Sequence, residues 1–318
     1  MNFAAHPAVA SLTPVFLLMA IGFLAGRLQW IRDAAVKDLS NLVFLVLIPA
    51  LLFRTMSAVR FEELDLRPVV AYFPAALLLL AVSIAWRGFN RASVVMAMAG
   101  VFSNMVMIGI TLVELAYGKA GLVTLLTLVS VHALILLTTG SVVLELAVAR
   151  EARAGGERAP HLLQTATSAI KGALIHPIPL PIISGLLFSQ TGWSLPTVID
   201  KPLLLLGNAF GPLSLVLMGV TLASTPLRGH LRAALWITFS KNLLLPVMVG
   251  LSAWALGITG LPLTVIVVAG ALPIGANVFL FAQRYDVAQE LTTASMGMTT
   301  LVSLFTLSFF MLAMSWIN

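Results

Sequence analysis

A few polar side chains stand inside long apolar stretches of this sequence, and their types limit the chemistry. Asn104 and Asn277 carry amides that can donate to a carboxylate or accept from backbone N–H groups. Asn277 follows Pro273 and Gly275; Asn104 precedes Gly109. Proline removes one helix hydrogen bond, and glycine tolerates the unwound backbone beside it. Lys241 lies about ten residues into an apolar segment and could pair with an anion or hold carbonyls freed by a helix break. This chemistry is recognition of a small anion, without bond making. Asn41 with Pro49, and Asn208 with Pro212, repeat the Asn-before-Pro pattern in two further apolar segments and are candidates for a supporting scaffold. Glu114, near Lys119, could carry a proton or simply sit at an outer mouth. Each amide could instead join neighbouring helices. His132 and His176 read as structural polar groups, Arg284 as a solvated anchor, and the 13 Met as packing fillers.

The elements that must position these residues are membrane helices. Of 318 residues, 60% are hydrophobic and only 9% charged, with mean hydropathy +1.04. An average soluble domain carries about 25% charged residues. The net charge of +6 is scattered, which excludes a nucleic-acid-binding domain, and the absence of Cys excludes a disulfide scaffold. No Lys or Arg precedes Arg27, so the start is not expected to be a cleavable signal. A span needs about 20 apolar residues. Ten are expected, near 9–27, 38–57, 67–87, 92–116, 120–147, 168–190, 199–223, 231–256, 261–284 and 288–316. The long apolar run around Lys241 and Asn277 divides at Gly257–Pro262, a turn signal. With the N-terminus outside, inner loops hold 12 Lys and Arg and outer loops five, so both termini are expected outside.

The longest polar stretch, Arg150 to Pro160, falls at the midpoint. It separates a five-helix half (1–149) from a second (168–318), with 150–167 as a cytoplasmic linker. An odd number of spans per half inverts the second, which is the arithmetic of an inverted repeat. Two segments interrupted at mid-depth in corresponding positions, around Asn104 and Asn277, are the strongest sequence pointer to a transport site. Freed backbone groups there must face protein or water.

Several stretches carry a resemblance. They are Asn41…Pro49-Ala-Leu-Leu-Phe53, Asn104…Gly109, His176-Pro177, Pro212…Met218-Gly219 and Ala271-Leu-Pro273-Ile-Gly275-Ala-Asn277…Gln283-Arg-Tyr285. Together the chain resembles the auxin efflux carrier family, including bacterial malonate-carrier-like permeases. The resemblance implies an all-α integral membrane protein of ten helices in two inverted five-helix repeats. It implies that broken helices four and nine cross at mid-membrane and that helices one, two, six and seven form a scaffold. It further implies elevator-type transport of small organic anions. Where the family often has Pro in helix four, this sequence has Thr111, so Gly109 would supply the flexibility.

The expected function is therefore a secondary carrier of a mono- or dicarboxylate in the cell inner membrane. Asn104, Gly109, Lys241, Pro273, Gly275 and Asn277 are its substrate-binding candidates. H⁺ is favoured over Na⁺ for coupling because the two breaks hold no carboxylate. The alternatives are a sodium-coupled bile-acid-type symporter and a channel. No cofactor or metal is expected; the lipid bilayer and a homodimer are the other expected partners. An intramembrane enzyme would need a buried Ser/His pair, paired Asp or a metal cluster, and the sequence offers none.

Overall fold

The computed structural model describes residues 7–60, 62, 64–154, 178–225 and 230–317. His176-Pro177, Lys171, Arg228 and most of the 150–167 linker lie outside them. The described residues are helical, with no strand among them. Six segments are long and apolar enough to cross a membrane: Ala34–Met56, Arg67–Arg87, Met105–Ala154, Thr197–Ala223, Leu231–Ala255 and Gln289–Ile317. Shorter apolar helices cover Leu12–Arg27, Pro179–Gln190 and Gly260–Ala271. Leu, Val, Phe and Trp side chains along these helices remain on the outside, where a bilayer covers them. This is a membrane protein.

The chain forms two compact units, each drawn from both halves of the sequence. Unit 1 comprises Met1–Leu66, Met105–Ser130 and Ile175–Thr225. Its helices are α1 (Pro7–Arg27), α2 (Asp33–Leu42), α3 (Ile48–Met56), the first part of α6 (Ile110–His132), α8 (Pro179–Gln190) and α9 (Thr197–Ala223). Small residues let α1 and α9 approach closely. A Cβ on Gly22 would lie 1.9 Å from the Val216 carbonyl oxygen, and one on Gly219 would lie 2.0 Å from that of Met19. Gly185 brings α8 close to the backbone of α3, where a Cβ would lie 2.7 Å from the Phe53 carbonyl oxygen. Pro202 and Pro212 sit inside α9 without ending it.

Unit 2 comprises Arg67–Asn104, Val131–Leu174 and Pro226–Asn318. It contains α4 (Arg67–Arg87), α5 (Arg91–Ala99), α7 (Thr138–Ala154), α10 (Leu231–Phe239), α11 (Leu245–Ala255), α12 (Gly260–Ala271), α13 (Asn277–Arg284) and α14 (Gln289–Ile317). Asn90 starts α5 by accepting the Ser93 N–H at 2.8 Å. Gly257 and Gly260, both with φ near +67°, turn the chain from α11 into α12. Gly118, at φ 62°, divides α6 internally. The α12 helix is buried from Leu263 to Ala271, as the near-absence of polar residues there requires.

Three spans contain a π-helical turn: Val43–Leu47, Ala133–Leu137 and Ser240–Leu244. A fourth, Met105–Gly109, leads into α6. Two of the three in-span turns precede a proline by one or two residues, Pro49 and Pro246. Each proline lacks the N–H that would have closed the preceding turn, and the helix widens there.

Candidate functional site

Two helices of unit 2 stop in mid-sequence, and local chemistry explains both ends. The α5 helix ends at Ala99, and residues 100–104 are not helical. Gly100 is packed against Ser240, whose Oγ lies 3.1 Å from where a Cβ would stand. The α12 helix ends at Ala271, where Leu272 turns extended (φ −59°, ψ 152°) ahead of Pro273. Proline disfavours helical geometry in the residue before it, which is what Leu272 shows. The chain becomes helical again at Asn277, the first residue of α13.

The two non-helical segments pair with each other. Ser103 and Ile274 form an isolated antiparallel bridge. The Asn104 N–H donates to the Pro273 carbonyl at 2.8 Å, and the Gly275 N–H donates to the Phe102 carbonyl at 2.9 Å. Each break thus supplies the hydrogen-bond partners that the other lost. Gly275 is required by proximity: a Cβ there would stand 2.9 Å from the Phe102 ring.

The remaining backbone groups are satisfied by side chains. Lys241, fully buried in the π-turn after α10, donates from Nζ to the carbonyls of Gly270 and Leu272, both at 2.6 Å. The amine thereby holds the carbonyl end of α12. Thr299 of α14 accepts the Ile274 N–H at 3.3 Å. On the same π-turn, Asn242 donates to the Thr299 carbonyl at 2.9 Å.

Other contacts were not anticipated from the sequence. Tyr72 of α4 is fully buried, with its hydroxyl 2.8 Å from Ser103 Oγ. A tyrosine in an apolar span must find a polar partner, so its presence was the available signal. His132 was read as a satisfied structural residue. Its ring instead packs edge-on against Phe102 at 4.5 Å, and its buried Nε2 has no hydrogen-bond partner among the described residues. Aromatic packing, with Tyr72 and Phe73 on its other sides, holds the ring in place.

Asn104, Pro273, Gly275 and Lys241 therefore come together around one crossing in unit 2. Asn104 is buried; Asn277 is half-buried at the start of α13. The other candidates lie in unit 1. Gly109 ends the Met105–Gly109 π-turn, whose Met107 carbonyl accepts from Ser214 of α9 at 3.0 Å. Thr111 faces Gly211 of α9. Asn41, Asn208 and Pro212 are exposed, and Pro49 is half-buried. Glu114 is exposed and lines a cleft of about 530 Å³ with Lys119 and the Arg54–Asp200 ion pair, which is closed at 2.7 Å. Among the described residues no cluster of three or more His, Asp or Glu could hold a metal.

Known membrane transport proteins match nearly the whole chain. The membrane transport protein family matches residues 7–311. A Rhizobium meliloti (strain 1021) protein named "Putative malonate transporter" is 29% identical over 303 residues, covering 93% of this chain and 92% of that protein. The "Uncharacterized transporter YfdV" of Escherichia coli K12 is 23% identical over 303 residues, covering 92% and 93% respectively. The chain is not an enzyme but a transporter, and it belongs to the membrane transport protein family, the family of the auxin efflux carriers.

Proposed function

We propose that this protein is a secondary carrier for a small organic anion, a mono- or dicarboxylate, and that the crossing of residues 100–104 with 272–276 is its binding site. The single observation that carries this reading is the reciprocal pairing of Asn104 with Pro273 and of Gly275 with Phe102. Such pairing keeps two interrupted helices in register. The α13 helix opens at Asn277, so the positive end of its dipole points at the break and favours a carboxylate. The half-buried Asn277 amide adds a donor without a charge to desolvate. Lys241 acts through the backbone: it fixes the carbonyls of Gly270 and Leu272, so that Pro273 and Gly275 present the crossing in one shape.

The proposed architecture is ten spans in two inverted five-helix repeats, 1–149 and 168–318, joined by the 150–167 linker. The protein lies in the inner membrane with both termini outside. Alternating access is of elevator type: one unit carries the crossing and the other, with Asn41, Pro49, Asn208 and Pro212, stays fixed. Coupling is to H⁺ rather than Na⁺, with Glu114 as a candidate carrier, and the assembly is a homodimer.

Counterflow in proteoliposomes tests the function. Vesicles loaded with unlabelled malonate should accumulate labelled malonate transiently, and an inward H⁺ gradient should raise the level. Accumulation that depends on Na⁺ would favour the bile-acid-type symporter; linear, non-saturating flux would indicate a channel. Orientation is tested with single cysteines, since the native chain has none. A cysteine at Trp316 should react with an impermeant reagent in intact cells, and one at Arg153 should not. The opposite pattern would overturn the topology.

A further inference from the structure

Unit 2 carries a second feature that the transport reading does not use. Trp86 and Arg87 end α4, and Arg232, Ala233 and Trp236 open α10. These five residues line a cleft of about 380 Å³. The two indoles meet edge to face, with centroids 5.9 Å apart and planes at 78°. Both are large apolar rings left outside, Trp86 73% and Trp236 53% exposed. Among the described residues neither guanidinium has a carboxylate partner, unlike Arg54 and Arg91, which pair with Asp200 and Glu151.

The surface adjoining the cleft is apolar in one direction. Val82 and Leu78 lie four and eight residues before Trp86 on α4, so they share its face. Both are more than half exposed. On α10, Phe239 follows Trp236 by three residues, packs against its ring at 6.1 Å and is 49% exposed. A track of apolar side chains therefore runs from the two arginines along both helices.

We propose that this cleft binds an anionic glycerophospholipid, such as phosphatidylglycerol. The unpaired guanidiniums take the phosphate, Trp86 and Trp236 take the glycerol and ester region, and the Leu78–Val82–Phe239 track takes the acyl chains. Each part matches a known physical preference. Arginine offers planar, forked donors suited to phosphate oxygens. Tryptophan favours the headgroup boundary, where an apolar body and an N–H can each find their medium. Basic pockets between spans recognise anionic headgroups. A free phosphate would satisfy the arginines but would leave the indoles and the apolar track uncovered. The lipid accounts for all three features together.

The test uses the purified full-length protein in neutral detergent. Its melting temperature is followed while phosphatidylglycerol, phosphatidylcholine or glycerol 1-phosphate is titrated into the micelles. Phosphatidylglycerol should raise the melting temperature saturably, and the other two should not. The paired variant Arg87→Gln/Arg232→Gln should need roughly tenfold more phosphatidylglycerol or lose the response. A second variant, Trp236→Ala, leaves both arginines in place and should weaken the response to the lipid, which keeps the test open if the arginine pair folds poorly. Equal stabilisation by glycerol 1-phosphate would show an anion site only and overturn the lipid assignment. So would an undiminished response to phosphatidylglycerol in either variant.

Discussion

Glycine brings backbones together in two places, and the two differ in what else is present. At the α1–α9 seam of unit 1, Gly22 and Gly219 let two continuous helices touch. At the crossing of unit 2, Gly275 sits between a proline and an asparagine, the helices are interrupted, and hydrogen bonds pass from one segment to the other. A buried lysine, a threonine and a tyrosine are drawn in to complete the pairing. The seam is a packing device. The crossing leaves polar backbone at helix ends inside a membrane protein, which is tolerated only where protein or a ligand-accessible space satisfies it.

That contrast can be broken from either side. The largest effect is expected at Lys241. Lys241→Met conserves length and packing but leaves the Gly270 and Leu272 carbonyls buried without donors. Each unsatisfied group costs about 1–3 kcal/mol, so a loss of roughly 2–6 kcal/mol in stability is expected, together with loss of counterflow. Thermal melting and malonate counterflow on the same preparation check it. Unchanged melting would show that the lysine is not needed for the pairing.

Asn277→Ala should separate binding from stability. Losing one hydrogen bond to a carboxylate should cost about 1.5–3 kcal/mol, or roughly tenfold to 150-fold in malonate affinity, with melting unchanged. An amide that only joins helices would instead lower melting by around 0.6 kcal/mol and leave affinity intact.

The seam should respond in the converse way. Gly219→Ala places a Cβ 2.0 Å from the Met19 carbonyl oxygen and should destabilise by about 1–3 kcal/mol. Malonate affinity of the surviving folded protein should equal that of the wild type. A selective loss of affinity would erase the distinction between the two regions. The smallest effect is expected from Tyr72→Phe, which removes one hydroxyl from the Ser103 pair. About 0.5–1.5 kcal/mol of stability should be lost, read as a modest melting shift.

Local signals were legible in the sequence. Continuous apolar runs located helices: the segment expected at 67–87 spans Arg67–Arg87, and that at 231–256 spans Leu231–Ala255. The turn expected near Gly257–Pro262 coincides with the positive φ of Gly257 and Gly260, which glycine alone signals cheaply. Pro273 with Gly275 marked the place where α12 stops. What the sequence could not reveal was pairing between distant segments. Nothing local in Tyr72 names Ser103, and nothing in Lys241 names Gly270 and Leu272 as its acceptors. The π-turns were missed as well, although Pro49 and Pro246 signalled two of them by lacking an N–H one turn ahead. The Ala133–Leu137 turn has no proline behind it, so no such local signal marks it. His132 is structural, as its type suggests, but nothing local to it names Tyr72, Phe73 and Phe102 as the rings that enclose it.

The central claim is that substrate sits at the crossing, and a cysteine beside it tests that most directly. Ala276 is exposed, lies in the break and immediately precedes Asn277. In the naturally cysteine-free chain, Ala276→Cys provides a single reporter at the site, and Val198→Cys, at an 85% exposed position on α9, provides the control. Each is reconstituted and alkylated with a small maleimide with and without saturating malonate. The account predicts that malonate slows modification at position 276 several-fold and leaves position 198 unchanged. Equal rates at position 276 with and without malonate, in a preparation that still performs malonate counterflow, would place the substrate elsewhere and contradict the account.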